Sequence, residues 1–165
     1  MLQHDRVLEI FPLKILRSLS QMSFLGIPSR PGATRPLFDL LERHTVPLKF
    51  LLEGCAGLAG RDLVICIPSK YFSDLEAELA EVKLRMQPKK VTLRQPVAIV
   101  RMLGPHFDIQ VGTSGVLFSA LMKAGVQVYS NATTITSSLC VIPEDQVGKA
   151  ERAIARAFAL PKSKK

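Results

Sequence analysis

Cysteine is scarce and poorly placed for chemistry. The three in the chain, Cys55, Cys66 and Cys140, are odd in number, widely spaced and form no CxxC or Cys/His ligand pattern. A disulfide framework and a zinc site are therefore not expected. Cys66 and Cys140 fall inside the apolar runs LVICIP and SLCVIP, where a cysteine reads as a small buried hydrophobe. Histidine is equally scarce, with only His4, His44 and His106 in 165 residues. His106-x-Asp108 is the one arrangement suggestive of acid/base or metal work, and a pair without further partners reads as a loop. Gly57-Leu58-Ala59-Gly60-Arg61 lacks the lysine and hydroxyl of a phosphate loop and reads as a hairpin connection. With no convincing nucleophile and base, carboxylate pair, metal set or phosphate loop, neither catalysis nor a cofactor is expected.

Long apolar runs are also missing. No uncharged apolar stretch approaches the roughly 20 residues that cross a bilayer, and Met1 to Arg6 shows no basic segment leading into an apolar one. A cytoplasmic location with no membrane partner is the expectation.

What is present is a core-forming composition, 47% hydrophobic and 22% charged, with a net charge of +8. Laid against itself at an offset of 80, the chain pairs Gly32-Ala-Thr-Arg-Pro-Leu-Phe-Asp-Leu-Leu-Glu-Arg with Gly112-Thr-Ser-Gly-Val-Leu-Phe-Ser-Ala-Leu-Met-Lys without a gap. Leu37/Leu117, Phe38/Phe118, Leu41/Leu121 and Val46/Val126 correspond. A second match, at an offset of 75, pairs Ile67-Pro68 with Ile142-Pro143 and then Phe72/Val147, Leu75/Ala150, Leu79/Ile154 and Val82/Ala157. A longer loop from Gly54 to Arg61 in the first copy accounts for the change of offset. Self-similarity at this period implies two equivalent units.

In the first copy the periodicities predict strands over Met22–Ile27, Pro47–Glu53 and Asp62–Ile67, a helix over Gly32–His44, a helix whose stripe is Phe72, Leu75, Leu79, Val82 and Met86, and a strand over Lys90–Arg94. The second copy gives a strand over Val97–Leu103, a helix over Thr113–Ala124, strands over Val126–Ala132 and Thr134–Ile142, and a helix over Glu144–Leu160. The order is βαββαβ twice, with the last strand of the second copy missing. The division is residues 1–20 as an N-terminal extension, 21–95 and 96–160 as the two units, and 161–165 as a basic tail. The segment Arg6–Leu16 could supply the missing strand or form a short amphipathic helix.

Such an order folds as a ferredoxin-like α+β unit, an antiparallel four-stranded sheet with both helices on one face. VAIVRML and KFLL are too apolar for a solvated sheet face, so pairing between copies or between chains, with a dimer as the natural outcome, is expected. The same order serves single-stranded RNA binders, which stack bases on strand aromatics. Phe24, Phe50 and Tyr129 are what this chain offers, without the aromatic run of that class and with its basic residues scattered, so nucleic acid is not the expected partner. The turn Gly26-Ile-Pro-Ser-Arg-Pro-Gly-Ala-Thr, from first strand to first helix, sets backbone N–H groups and a positive helix end at the strand edge, a geometry suited to a carboxylate. The plainer reading is a connecting turn with Ser29 as a helix cap.

LGIPSRPGATRPLFDLL followed by VPLKFLLE resembles the first ACT domain of the regulatory half of aspartate kinases, and VAIVRML, GVLFSAL, AGVQVYSNATT, SLCVIPED and KAERAIARAFAL resemble the second. The resemblance spans Gln21 to Leu160 and implies a stand-alone tandem ACT protein without a kinase domain. In those kinases lysine or threonine is held between ACT domains of two chains. By that resemblance an amino-acid effector would be gripped by Ile27, Pro28, Ser29, Arg30, Pro31, Gly32 and Ala33, with Glu53 beside them and Gln127 and Val128 of a second chain closing the site. Ser29 stands where the family usually has an acidic residue, Glu53 where an amide is usual, and Gln127 where an asparagine is usual. In the second copy the loop Arg101–Val111 is longer than the family pattern and no proline precedes Gly112. The implied output is a changed assembly state or a separate partner enzyme. A ligand-free dimerisation module is the alternative.

Overall fold

A computed structural model describes residues 13–55, 60–103 and 112–158. The architecture is α+β. In chain order the elements are β1 (Lys14–Pro28), α1 (Arg35–Arg43), β2 (Phe50–Cys55), β3 (Gly60–Pro68), α2 (Phe72–Met86), β4 (Lys90–Leu103), α3 (Thr113–Lys123), β5 (Ser130–Thr133), β6 (Ser137–Pro143) and α4 (Val147–Ala157). Their hydrogen-bonded strand order is β2-β3-β1-β4-β6-β5. Single 3-10 turns, Ser69–Tyr71 and Glu144–Gln146, follow Pro68 and Pro143 and lead into α2 and α4.

The chain divides into two compact units, one of Arg17–Val97 and one of Met1–Leu16 with Ala98–Lys165. Two strands supply both. The strand expected to begin at Met22 begins at Lys14, and the two expected over Lys90–Arg94 and Val97–Leu103 are one continuous β4. The described part of the N-terminal extension is thus strand rather than helix, and Leu13 and Ile15 pack on the core of the second unit. Residues 1–12, like the His106-x-Asp108 pair and the basic tail, lie outside the described residues.

In the Arg17–Val97 unit, β1 pairs antiparallel with β3, and β3 with β2. Alternation along β1 turns Met22 and Phe24 into a core closed by Leu63, Ile65 and Ile67 of β3. The β1–β3 register slips between Phe24 and Ile27, which face Leu63 and Arg61. That extra residue is a β-bulge, and it brings Ile27 back to the core face ahead of the turn. Gly26 sits in the bulge at φ +66, and its N–H donates to Asp62 Oδ1 at 2.8 Å.

α1 starts three residues later than Gly32, because Pro36 can occupy the first turn, where a missing N–H costs nothing. Leu37, Leu40 and Leu41 fill its inner stripe, and Thr45 at φ +52 ends it. α2 spans the predicted stripe, buries Leu75, Leu79, Val82 and Met86, and stops at Gln87 in the left-handed conformation ahead of Pro88.

The second unit repeats the logic. Ala98, Val100 and Met102 of β4 and Cys140 and Ile142 of β6 meet Leu117 and Leu121 of α3 and Val147, Ala150 and Ile154 of α4. β5 is shorter than expected, Ser130–Thr133 rather than Val126–Ala132, and α4 begins at Val147 after its 3-10 turn rather than at Glu144. Residues on the sheet faces turned away from the helices, including Val64, Cys66, Val97, Ile99 and Val141, are buried as well. Among the described residues no helix is long and apolar enough to cross a membrane.

Candidate functional site

The turn after β1 is anchored at both ends by its own apolar residues. Ile27 and Ala33 are buried in the core, whereas Ser29, Arg30, Pro31 and Gly32 stand exposed between them and Pro28 is half-buried. Backbone bonds fix its path: Arg30 N–H donates to Pro28 O at 2.9 Å, Ala33 N–H to Arg30 O at 3.2 Å and Arg35 N–H to Gly32 O at 3.0 Å. None of these three bonds uses the N–H of Ser29, Gly32 or Thr34. Gly32 holds φ +71, which favours glycine, and a Cβ there would meet nothing within 4 Å. No side chain caps α1 and no acid lies in its first turn, so Ser29 is not the helix cap and the positive helix end is not neutralised locally.

A cleft of about 530 Å³ opens beside this turn, lined by Arg30, Gly32, Arg35 and Pro36 on one side and by Leu84, Arg85 and Gln87 at the end of α2 on the other. Arg30 Nη2 donates to Arg85 O at 2.7 Å, across the last carbonyls of α2. Arg35 is paired along α1 with Asp39 at 2.5 Å, and Arg85 Nη1 lies 3.9 Å from Glu81 Oε1, beyond hydrogen-bond range. The placement of three arginines around one cleft is what sequence reading missed, since it took the basic residues as scattered. The only available signal was Arg35 following Gly32-Ala33-Thr34; Arg85 reaches the site through the packing of α2 on α1.

The remaining residues implied by the resemblance lie elsewhere. Glu53 on β2 is opposite Leu63, itself opposite Phe24, which places it two strands, about 10 Å, from β1. Its carboxylate is 3.2 Å from Arg61 Nη1. Gln127 and Val128 belong to the second unit. Gln127 is exposed, its N–H donating to Gln146 Oε1 at 2.7 Å, and Val128 packs against that unit's core. Before α3, Gly112 adopts φ +94 as Gly32 does, yet Gly115 stands at the position equivalent to Arg35. The loop preceding Gly112 lies outside the described residues, as do residues 56–59 of the expected hairpin connection; Cys55 and Arg61 on either side are paired.

Of the aromatics Phe24, Phe50 and Tyr129, the last is half-buried and precedes β5. Phe24 and Phe50 are 0% and 5% exposed, so their faces are not open to bases. Among the described residues no group of three or more His, Cys, Asp or Glu is placed to hold a metal. Burial pushes the thiols of Cys66 and Cys140 up to about 12, which keeps them protonated and inert.

No protein-family model matches the chain, and no curated protein matches it in sequence. Solved structures do match. The ligand-free regulatory subunit of aspartate kinase from Thermus thermophilus aligns with a TM-score of 0.79 at 19% identity, covering 93% of this chain and 99% of that one. The regulatory subunit of aspartate kinase from Thermus flavus aligns at 0.80 and 18% identity, over 92% and 99% of the two chains. Aspartate kinase from Synechocystis aligns at 0.82 and 21% identity over 98% of this chain, which spans 29% of that larger protein. The fold is that of aspartate kinase regulatory subunits.

Proposed function

We propose that this chain is a non-catalytic regulatory protein, a pair of ferredoxin-like ACT units covering residues 21–95 and 96–160 that binds a small effector, most readily an amino acid, at the turn Ile27–Ala33. The observation that carries the reading is the turn itself: a bulged strand leads into an exposed loop with Gly32 at φ +71, beside an uncapped helix start and an open cleft. The fold shared with regulatory subunits of aspartate kinase supports a regulatory role over a catalytic one.

A second copy of the chain completes the site in this reading, presenting Gln127 and Val128 to the first copy's turn, with Glu53 at the rim. Strand β2 supports assembly, since it ends the strand order and exposes Leu51 and Leu52 at 43% and 41%. A ligand held between copies favours the assembled form by mass action, and its effect equals its differential affinity for the two states. The output is then a changed assembly or a changed partner enzyme in the cytoplasm, with no cofactor required.

The test is thermal unfolding of the purified protein against each proteinogenic amino acid at millimolar concentration, read beside oligomeric mass. A rise confined to one or two amino acids and lost in Gly32→Trp is the expected result. A flat panel on a stable dimer would leave assembly alone as the function.

A further inference from the structure

The arginine-lined cleft beside the turn carries an inference about the effector's charge. Arg30 comes from the loop, Arg35 from the first turn of α1 and Arg85 from the last turn of α2, yet all three border one cleft of about 530 Å³ in which no carboxylate is a lining group. A purely structural account explains part of this. Arg30 bonds a carbonyl at the end of α2, and Arg35 pairs with Asp39. Arg85 is loosely paired with Glu81 at 3.9 Å one turn back and sits in the last turn of α2, where a cation is favoured, yet these contacts use only a fraction of the five N–H donors each guanidinium carries. Guanidinium forks match carboxylate and phosphate oxygens two at a time, and the unneutralised start of α1 adds to the same field. A cationic ligand such as lysine would meet three like charges here and no lining carboxylate.

We propose that the cleft holds a small molecule with at least two negative charges, a dicarboxylate or a phosphate monoester, with one anionic group on the donors of the turn and the other on Arg35 and Arg85. The inference rests on the reading of Ile27–Ala33 as a ligand-binding turn and adds the ligand's charge class. In the second unit Gly115 stands at the position equivalent to Arg35, and among the described residues the cleft beside it is lined by Lys123 and Arg156 instead.

The experiment is calorimetric titration of the full chain with L-aspartate, L-glutamate, succinate, inorganic phosphate and glycerol phosphate, beside L-lysine and L-threonine, repeated on Arg35→Gln and Arg85→Gln. Both arginines are solvent-exposed, and ligand-free melting checks that each variant folds. The expected result is binding of at least one anionic probe, weakened about tenfold or more in each variant, as for a lost charge-assisted hydrogen bond, and weakened further as salt rises. Whether phosphates or dicarboxylates bind identifies the source of the charge. Binding of lysine or threonine without any anion would overturn the charge assignment and leave the ligand-binding turn standing. Anion binding indifferent to both substitutions would place the ligand elsewhere and overturn the inference. Silence from every probe would overturn the charge assignment, while a melting-temperature rise with another amino acid would keep the ligand-binding turn.

Discussion

His44 Nε2 lies 2.6 Å from Glu78 Oε1, so the residue that closes α1 is tied to the middle of α2. Arg43 reaches the other oxygen of the same carboxylate at 2.9 Å. The hydrogen bond from His44, helped by the charge of Arg43, holds the Glu78 carboxyl below its ordinary value of 4.5. A carboxyl whose folded pKa is depressed contributes stability that is complete above its unfolded pKa and disappears as pH falls through the folded one. The melting-temperature gap between the wild type and Glu78→Gln is therefore expected to be full above pH 4.5 and to close on further acidification. A gap that persists unchanged to about pH 3 would show that the charge of Glu78 is not what joins these helices.

At the other end of the helix pair, Gly26 is fixed by two independent constraints. Its φ of +66 disfavours any side chain, and a Cβ there would come within 2.9 Å of Lys89 Cδ. Gly26→Ala should destabilise the protein by about 1–3 kcal/mol in urea unfolding, as for other non-glycine residues forced into this region. Adding Lys89→Ala should return only the steric part, because the backbone strain stays. Full recovery in the double variant would mean that the φ angle relaxes freely.

Leu37 and Leu117, paired by the 80-residue offset, are 0% and 1% exposed in the cores of their respective units. Each has its partner residues on a strand and on a second helix, so truncation leaves a cavity that cannot collapse. Leu37→Ala and Leu117→Ala are each expected to cost about 2–5 kcal/mol by chemical unfolding. A cost under about 1 kcal/mol at either position would contradict the equivalence of the two cores.

The repeat made the cores legible because buried apolar positions are held to a spacing in each copy, as in Leu41/Leu121 and Val46/Val126. α2 was legible to its ends since Gln87-Pro88 supplies an unmistakable stop. β1 was not, because its early residues read as polar. Ser20 and Gln21 are buried all the same, and the Ser20 hydroxyl lies 2.9 Å from that of Ser69 and donates to Gln95 Oε1 at 2.8 Å. Alternation rules assume that a buried strand position is apolar, and hydrogen bonding between neighbouring strands defeats that assumption. The division at 95/96 fell at Gln95-Pro96, and although proline lacks a ladder donor, β4 runs through it. At the candidate site the turn was legible from Pro31-Gly32, whereas the arginine cleft depends on which faces of α1 and α2 meet, a relation that spans 55 residues between Arg30 and Arg85.

Thiol chemistry separates the three cysteines and checks the described cores without any ligand. Cys66 on β3 and Cys140 on β6 are buried, and desolvation raises both thiols to about 12, so neither presents a thiolate at neutral or mildly alkaline pH. Cys55 ends the edge strand β2 and is exposed. Titration of the native protein with an aromatic disulfide reagent at about pH 8 should release one equivalent of chromophore quickly, from Cys55, and three equivalents in guanidinium chloride. Cys55→Ser should abolish the fast equivalent and leave the denatured count at two, which assigns the reactive thiol by subtraction. A second fast equivalent in the native protein would mean that β3 or β6 opens to solvent, and comparing Cys66→Ala with Cys140→Ala would then identify the unit that opens.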